Sequence, residues 1–291
     1  MSSASSALIQ SFFDPQTSTF SYVLADLQTK RAAVIDAVLD FDPRSGRTSR
    51  HSVDKVIRFL RQQGLALDWI LETHAHADHL SAASLLRQEL GGKIAISAAI
   101  CDVQEAFKRI YNFDANFSTD GSDFNRLLLD GDVLVLGNQV ITFWHIPGHT
   151  PADGAFLFDQ SVFVGDSLFM PYVGTARCDF PGGSASDLWR SIQRILSLPP
   201  ETCLYFCHDY PPGDDRPISD SCTVREQLTS NIHVRAGTTL EAFVEMRTAR
   251  DRTLPMPTLI LPAIQVNLRA GTLPPAESNG QRYLKIPLNQ L

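Results

Sequence analysis

A layered α/β body, with sheets covered by helices, is the fold this sequence predicts, and three observations predict it. Short apolar runs of strand length alternate with stretches of helical periodicity. The second half of the chain repeats the pattern of the first. The chain has 291 residues, 44% apolar and 20% charged, which is enough for a large core. At roughly 150 residues per domain, that is about two domains or one large layered one.

Residues 20–24 and 32–35 are apolar runs flanking the polar turn at 28–31, as in a hairpin. Val53, Val56, Ile57 and Leu60 recur at helical spacing, with Ser52 as the expected cap and Gly64 as the stop. Residues 67–71 read as a buried strand ending at Glu72-Thr73. A helix over 82–90 stops at Gly91-Gly92, and residues 94–96 begin the next strand. In the second half, 133–136 and 140–144 flank a Gly137-Asn138 turn, and 155–158 and 162–164 flank Asp159-Gln160. Leu188, Ile192, Ile195 and Leu196 mark a helix closed by Pro199-Pro200. Residues 203–207 form a strand leading into His208-Asp209-Tyr210. Beyond Pro211-Pro212-Gly213 come two helices, around 222–232 and 239–250, and a Pro-punctuated tail. The expected organisation is a core over residues 1–213. Residues 214–291 form a helical and tail extension that completes the same domain.

Composition narrows the class of function. Lys plus Arg number 25 against 32 Asp plus Glu, a formal net charge of −7, which argues against a surface that tracks nucleic-acid phosphates. No apolar run approaches the ~20 residues that cross a bilayer, so no membrane partner is expected. The Ser-rich start has no basic residue before Lys30, unlike a secretory signal or a transit peptide. The five cysteines, Cys101, Cys178, Cys203, Cys207 and Cys222, are scattered without a Cys-x-x-Cys. They read as small buried hydrophobes in a reducing compartment, and a cytoplasmic location is expected.

The chemistry is concentrated in Thr73-His74-Ala75-His76-Ala77-Asp78-His79, which lies directly after a strand and before a helix. Imidazoles and a carboxylate crowded on such a loop aim several lone pairs at one point, and these donors suit zinc, iron and manganese. The bland alternative is a solvated polar turn. Three other strand ends carry the same kinds of group: Gly148-His149-Thr150, Gly165-Asp166-Ser167 and Cys207-His208-Asp209. A lone histidine at any one of them would more often be structural. Together they point to a metal.

His-x-His-x-Asp-His, then Gly-His-Thr, Gly-Asp and a late His, resemble the metallo-β-lactamase superfamily over about residues 20–210. The resemblance implies a four-layer αββα sandwich. Within that superfamily the chain looks like the persulfide dioxygenase branch (ETHE-type sulfur dioxygenases), a relative of glyoxalase II. Residues 174–180, His208-Asp209-Tyr210 and residues 266–271 carry that finer likeness. Pro151-Ala152-Asp153-Gly154 departs from the family, which usually has Gly and a small residue there.

For the dioxygenase branch, the resemblance implies one Fe(II) per chain held by His74, His149 and Asp166, a two-His, one-carboxylate triad with open positions. Glutathione persulfide and O2 are then the reactants, sulfite and glutathione the products. His76, Asp78, His79 and His208 become outer groups that orient ligands or bind water. The alternative is a glyoxalase II-like hydrolase of S-acyl glutathione with two zinc or mixed metals. There His74, His76 and His149 hold one ion, Asp78, His79 and His208 the other, and Asp166 bridges them. The ligand inventory serves both. The local likeness around Arg177 and His208 favours the dioxygenase, as does the absence of a Lys-Lys or Lys-Arg pair in the C-terminal helices. For substrate, Arg177 is expected to grip a glutathione carboxylate or to pair with Asp179. Tyr210, Tyr172, Asn267 and Arg269 are each expected to line the pocket or to pack structurally. Cys178 reads as a structural thiol. The family often forms dimers, so a homodimer is one expectation.

Overall fold

Successive residues along the central strands bury on opposite faces of their sheets, and this alternation divides the interior into three separate cores. The structure, a computed structural model, describes residues 6–211, 213 and 216–290. Residues 1–5 of the Ser-rich start and Pro212 of the expected Pro-Pro-Gly turn lie outside the described residues.

The first half runs β1 (Ala7–Asp14), β2 (Thr19–Asp26), β3 (Arg31–Ile35), β4 (Val38–Asp42), β5 (Arg47–Ser49), α1 (His51–Gln63), β6 (Ala66–Leu71), β7 (Leu80–Ser81), α2 (Ala83–Leu90), β8 (Lys93–Ser97), α3 (Ile100–Tyr111) and β9 (Arg126–Leu128). The second runs β10 (Val133–Leu136), β11 (Gln139–His145), β12 (Gly154–Phe158), β13 (Ser161–Phe163), α4 (Ala185–Leu196), β14 (Cys203–Tyr205), β15 (Ser221–Thr223), α5 (Val224–Ser230), α6 (Leu240–Asp251) and α7 (Ile260–Asn267). One sheet has the order β1-β2-β3-β6-β8-β9 and the other the order β10-β11-β12-β13-β14-β15. A small sheet, β5-β4-β7, lies beside them.

Tyr22, Leu24, Ala33 and Ile35 of the first sheet meet Leu134, Ile141, Phe143 and Phe156 of the second, forming the core between the sheets. Their neighbours Val23, Ala25, Ala32 and Val34 point the other way, against Val56 and Leu60 of α1, Leu86 of α2 and Val103 of α3. Behind the second sheet, Ala155, Val162 and Leu204 pack on Leu188 and Ile192 of α4 and on Phe243 of α6. Helix, sheet, sheet, helix: these four layers are the expected αββα sandwich.

Three details differ from the expectation. Ser52 does not cap α1, because the helix already begins at His51 and Arg50 makes no side-chain capping bond. Asp40 serves that end instead, its carboxylate accepting from Ser52 N at 3.1 Å and from Ser52 Oγ at 2.9 Å. Helix α7 replaces part of the Pro-punctuated tail, since Pro262 falls within its first turn, where the missing N–H has no intrahelical partner to lose. The residues after 213 add β15 to the edge of the second sheet and put Ile260, Ala263 and Ile264 into the core behind the first. Among the described residues no helix is long and apolar enough to cross a membrane.

Candidate metal centre

Four loops, each following a strand of one sheet or the other, converge on one buried point. The loop after β6 carries His74, His76, Asp78 and His79; those after β11, β13 and β14 carry His149, Asp166 and His208. The donor atoms of His74, His149 and Asp166 all lie within 4.8 Å of one another. Asp166 Oδ2 stands 3.8 Å from His74 Nε2 and 3.7 Å from His149 Nε2. His76, Asp78, His79 and His208 form a second such group beside the first. His208 Nε2 is 3.0 Å from Asp78 Oδ2 and 3.4 Å from Asp166 Oδ1. Every sequence-predicted ligand position is therefore brought to this centre.

Hydrogen bonds to the far ring nitrogens decide which imidazole atoms are free to bind. A carbonyl only accepts, so His149 Nδ1, 2.7 Å from Arg177 O, carries the proton and leaves Nε2 bare. His208 Nδ1 faces Ser18 O at 3.2 Å in the same way. Thr73 Oγ1 donates to Asp36 Oδ2 at 2.8 Å, so the 3.1 Å contact with His74 Nδ1 is completed by the ring's own N–H. Fixing a ring by its second nitrogen in this manner is how proteins prepare histidine for a metal.

The freed atoms find no hydrogen-bond partner among the described residues. His74 Nε2, both nitrogens of His76, His79 Nε2, His208 Nε2 and Asp166 Oδ1 are buried without a hydrogen bond. Several of these lie at ion-pair distance from a carboxylate, yet without hydrogen-bond geometry. An unsatisfied buried polar atom costs about 1–3 kcal/mol, so a cluster of them needs a compensating cation. Burial, with help from the neighbouring imidazoles, holds His74 and His76 far below the usual histidine range, in the neutral form that coordinates metal. Burial also pushes the Asp166 carboxyl up to about 8, against the pull of His149 and with the push of Asp78. A divalent ion among these groups removes that penalty. The residues fit a metal.

Supporting groups surround the ligands. Asp36, in a left-handed conformation at φ 49°, accepts from Thr73 N and Thr73 Oγ1, each at 2.8 Å, and stands 3.0 Å from His76 Nε2. Asp153, where the sequence departs from the family pattern, accepts from Thr150 N at 2.8 Å and Thr150 Oγ1 at 2.5 Å, so it closes the loop that presents His149. Sequence reasoning missed Asp36. The only local signal was an acid at the end of an apolar run, and its backbone conformation is invisible in the letters.

A cavity of about 710 Å³ opens onto His149, Asp166 and Asp78, with Phe169, Phe180 and Met256 in its walls. Arg177 and Tyr210 also line it. The guanidinium of Arg177 is already occupied: Nε and Nη2 bind Asp179 at 2.6 and 2.7 Å, and Nη1 binds Pro255 O at 2.6 Å. Of the two roles expected of Arg177, the pair with Asp179 is present in the structure, and the residue also lines the cavity. Tyr210 stacks on His208 at 5.6 Å and is half exposed.

Three expected pocket residues stand elsewhere. Tyr172 points its hydroxyl at Asp209 and stacks under Arg216, so it braces the His208 loop rather than touching the cavity. Arg269 lies over Phe113 and Phe117, 4.5 Å from the second ring, on the helical side of the first sheet. Asn267, at the end of α7, donates to His76 O and His79 O and accepts from Ser81 N, each at 2.8 Å. It pins the ligand loop from behind. Asn267→Ala is expected to weaken metal affinity by about 10- to 100-fold without unfolding the protein, read by competition with a chromogenic chelator. Cys178 is buried, and burial pushes its thiol well above the usual range, so it is the structural residue expected rather than a thiolate.

The family model described as metallo-beta-lactamase superfamily matches residues 14–208. A probable metallo-hydrolase of Burkholderia pseudomallei is 52% identical over 97% of this chain and 99% of its own. Glyoxylase B2 of Dictyostelium discoideum is 47% identical over 98% of each chain. The human mitochondrial persulfide dioxygenase ETHE1 is 29% identical over 92% of this chain and 90% of its own. Among solved structures, ETHE1 from Myxococcus xanthus superposes with a TM-score of 0.73 at 28% identity, covering 91% of this chain and all of that one.

Proposed function

Because this chain belongs to the metallo-β-lactamase superfamily, we propose that it is a mononuclear iron persulfide dioxygenase that oxidises glutathione persulfide to sulfite. One observation carries the reading. Of the three donors grouped at His74, His149 and Asp166, two face the large cavity, so one side of the centre is filled by protein and the other is left for reactants. The likeness to the ETHE1 proteins, in sequence and over nearly the whole fold, supports the same choice.

Iron(II) held by His74, His149 and Asp166 would supply what spin-paired sulfur lacks, a one-electron route to triplet O2. The chain does the rest. His74 and His149 are held in one tautomer by Thr73 and Arg177 O, so no proton competes for their Nε2 atoms. Phe169 and Phe180 exclude water beside the ligands, and the cavity brings the persulfide close, which converts an encounter into a positioned reaction. The net conversion balances as a persulfide anion, O2 and water giving the thiol and hydrogen sulfite. Two oxygen atoms from O2 and one from water end on the outer sulfur, and the S–S bond breaks with the inner sulfur leaving as thiol.

A second reading, thioester hydrolysis at two metals, is supported by the second donor group at His76, Asp78, His79 and His208 and by the names of the relatives near 50% identity. An oxygen electrode separates the two. Protein reconstituted anaerobically with iron is expected to consume one O2 per glutathione persulfide and to leave S-lactoylglutathione intact. Thioester cleavage by the zinc form with no oxygen uptake by the iron form would reverse the assignment.

A further inference from the structure

Among the described residues, three guanidinium groups line the cavity: Arg177, Arg247 and Arg250. Two are neutralised within the protein. Arg177 is held by Asp179 and Pro255 O as described above. Arg247 is 1% exposed, with Nε and Nη2 on Asp251 at 2.8 and 2.6 Å and Nη1 on Thr175 O at 3.0 Å. Arg250, three residues further along α6, is exposed, and no acid among the described residues pairs with its side chain. Among the described residues, the carboxylates on the cavity wall are Asp78 and Asp166, both at the candidate metal centre. Away from that centre the described part of the wall carries one charge without an opposite partner, the guanidinium of Arg250.

We propose that Arg250 is the binding subsite for a carboxylate of the thiol carrier, and that it sets the enzyme's preference for carboxylate-bearing persulfides. This rests on the reading of the cavity as the place where a glutathione-borne sulfur reaches the metal. The planar guanidinium offers a two-pronged, charge-assisted contact that suits a carboxylate. Leu254 and Met256, next along the chain on the same wall, give apolar cover for the methylenes between that carboxylate and the sulfur. The carboxylate contact that sequence reasoning offered to Arg177 is assigned here to Arg250 of α6.

Isothermal titration of the iron-loaded protein with S-methylglutathione, and with its diethyl ester, tests this without turnover. Arg250→Gln is expected to raise the Kd for the diacid about tenfold or more and to leave the Kd for the ester unchanged, with Arg250→Lys intermediate. Diacid binding by Arg250→Gln as tight as wild type, or equal losses for diacid and ester, would overturn the proposal. Failure of wild type to bind S-methylglutathione would overturn it too. Wild type that binds the diacid through Arg250 yet takes up no oxygen with glutathione persulfide would sink the dioxygenase reading and leave this subsite standing.

Discussion

Asp166→Asn is expected to abolish oxygen uptake and to lower metal affinity by more than about 100-fold, beyond the loss for a supporting residue. Asp166 faces both donor groups, with Oδ2 toward His74 and His149 and Oδ1 3.4 Å from His208 Nε2. The amide keeps the volume but removes the negative charge and places an NH2 where only lone pairs converge. Misfolding is excluded by a second readout. In the metal-free protein burial pushes this carboxyl up to about 8, so a neutral group at 166 removes a cost rather than adding one. The metal-free variant should therefore melt no lower than metal-free wild type at pH 7. A sharp drop in its melting temperature would mean that the loss of activity reports unfolding, not coordination.

The largest stability effect is expected from Gly148→Ala. Gly148 has φ 152°, and a Cβ there would lie 2.3 Å from both Leu188 N and Leu188 Cα, inside the first turn of α4. Backbone cannot swing aside as a flexible side chain does. Gly148 O also accepts from Ser184 N, the cap of α4, at 2.8 Å, so the helix and the loop presenting His149 would move together. The cost should be about 3 kcal/mol, read as a lower urea midpoint at unchanged slope, with weakened metal binding alongside. Gly46→Ala is the control. Gly46 has φ 67° but nothing within 4 Å of its built Cβ, so only the backbone penalty of about 1 kcal/mol applies. Equal losses at the two positions would refute the packing argument.

The ligand positions were legible because the chemistry sits at strand ends, where a short apolar run followed by His or Asp is unmistakable in one dimension. The layers were legible from continuous apolar runs such as residues 20–24, which are buried on both faces, with Val23 in the core under the helices and Leu24 in the core between the sheets. What escaped depends on contacts far apart in the chain. Asn267 meets its partners across 186 to 191 residues, so its work on the ligand loop leaves no local trace. Arg177 also meets Pro255 O, 78 residues away, a contact that nothing near it in sequence announces. Helix α7 was hidden because Pro262 reads as a breaker unless its place in the first turn is known. Tyr172 sits near Asp166 in sequence, but its hydroxyl turns to Asp209.

A mononuclear centre and a binuclear one differ most directly in how many ions the four loops hold. Crystals of the anaerobically iron-loaded protein, measured on both sides of the iron absorption edge, should show a single anomalous peak within coordination distance of His74, His149 and Asp166. Two peaks of comparable height, the second among Asp78, His79 and His208 with Asp166 between them, would contradict it.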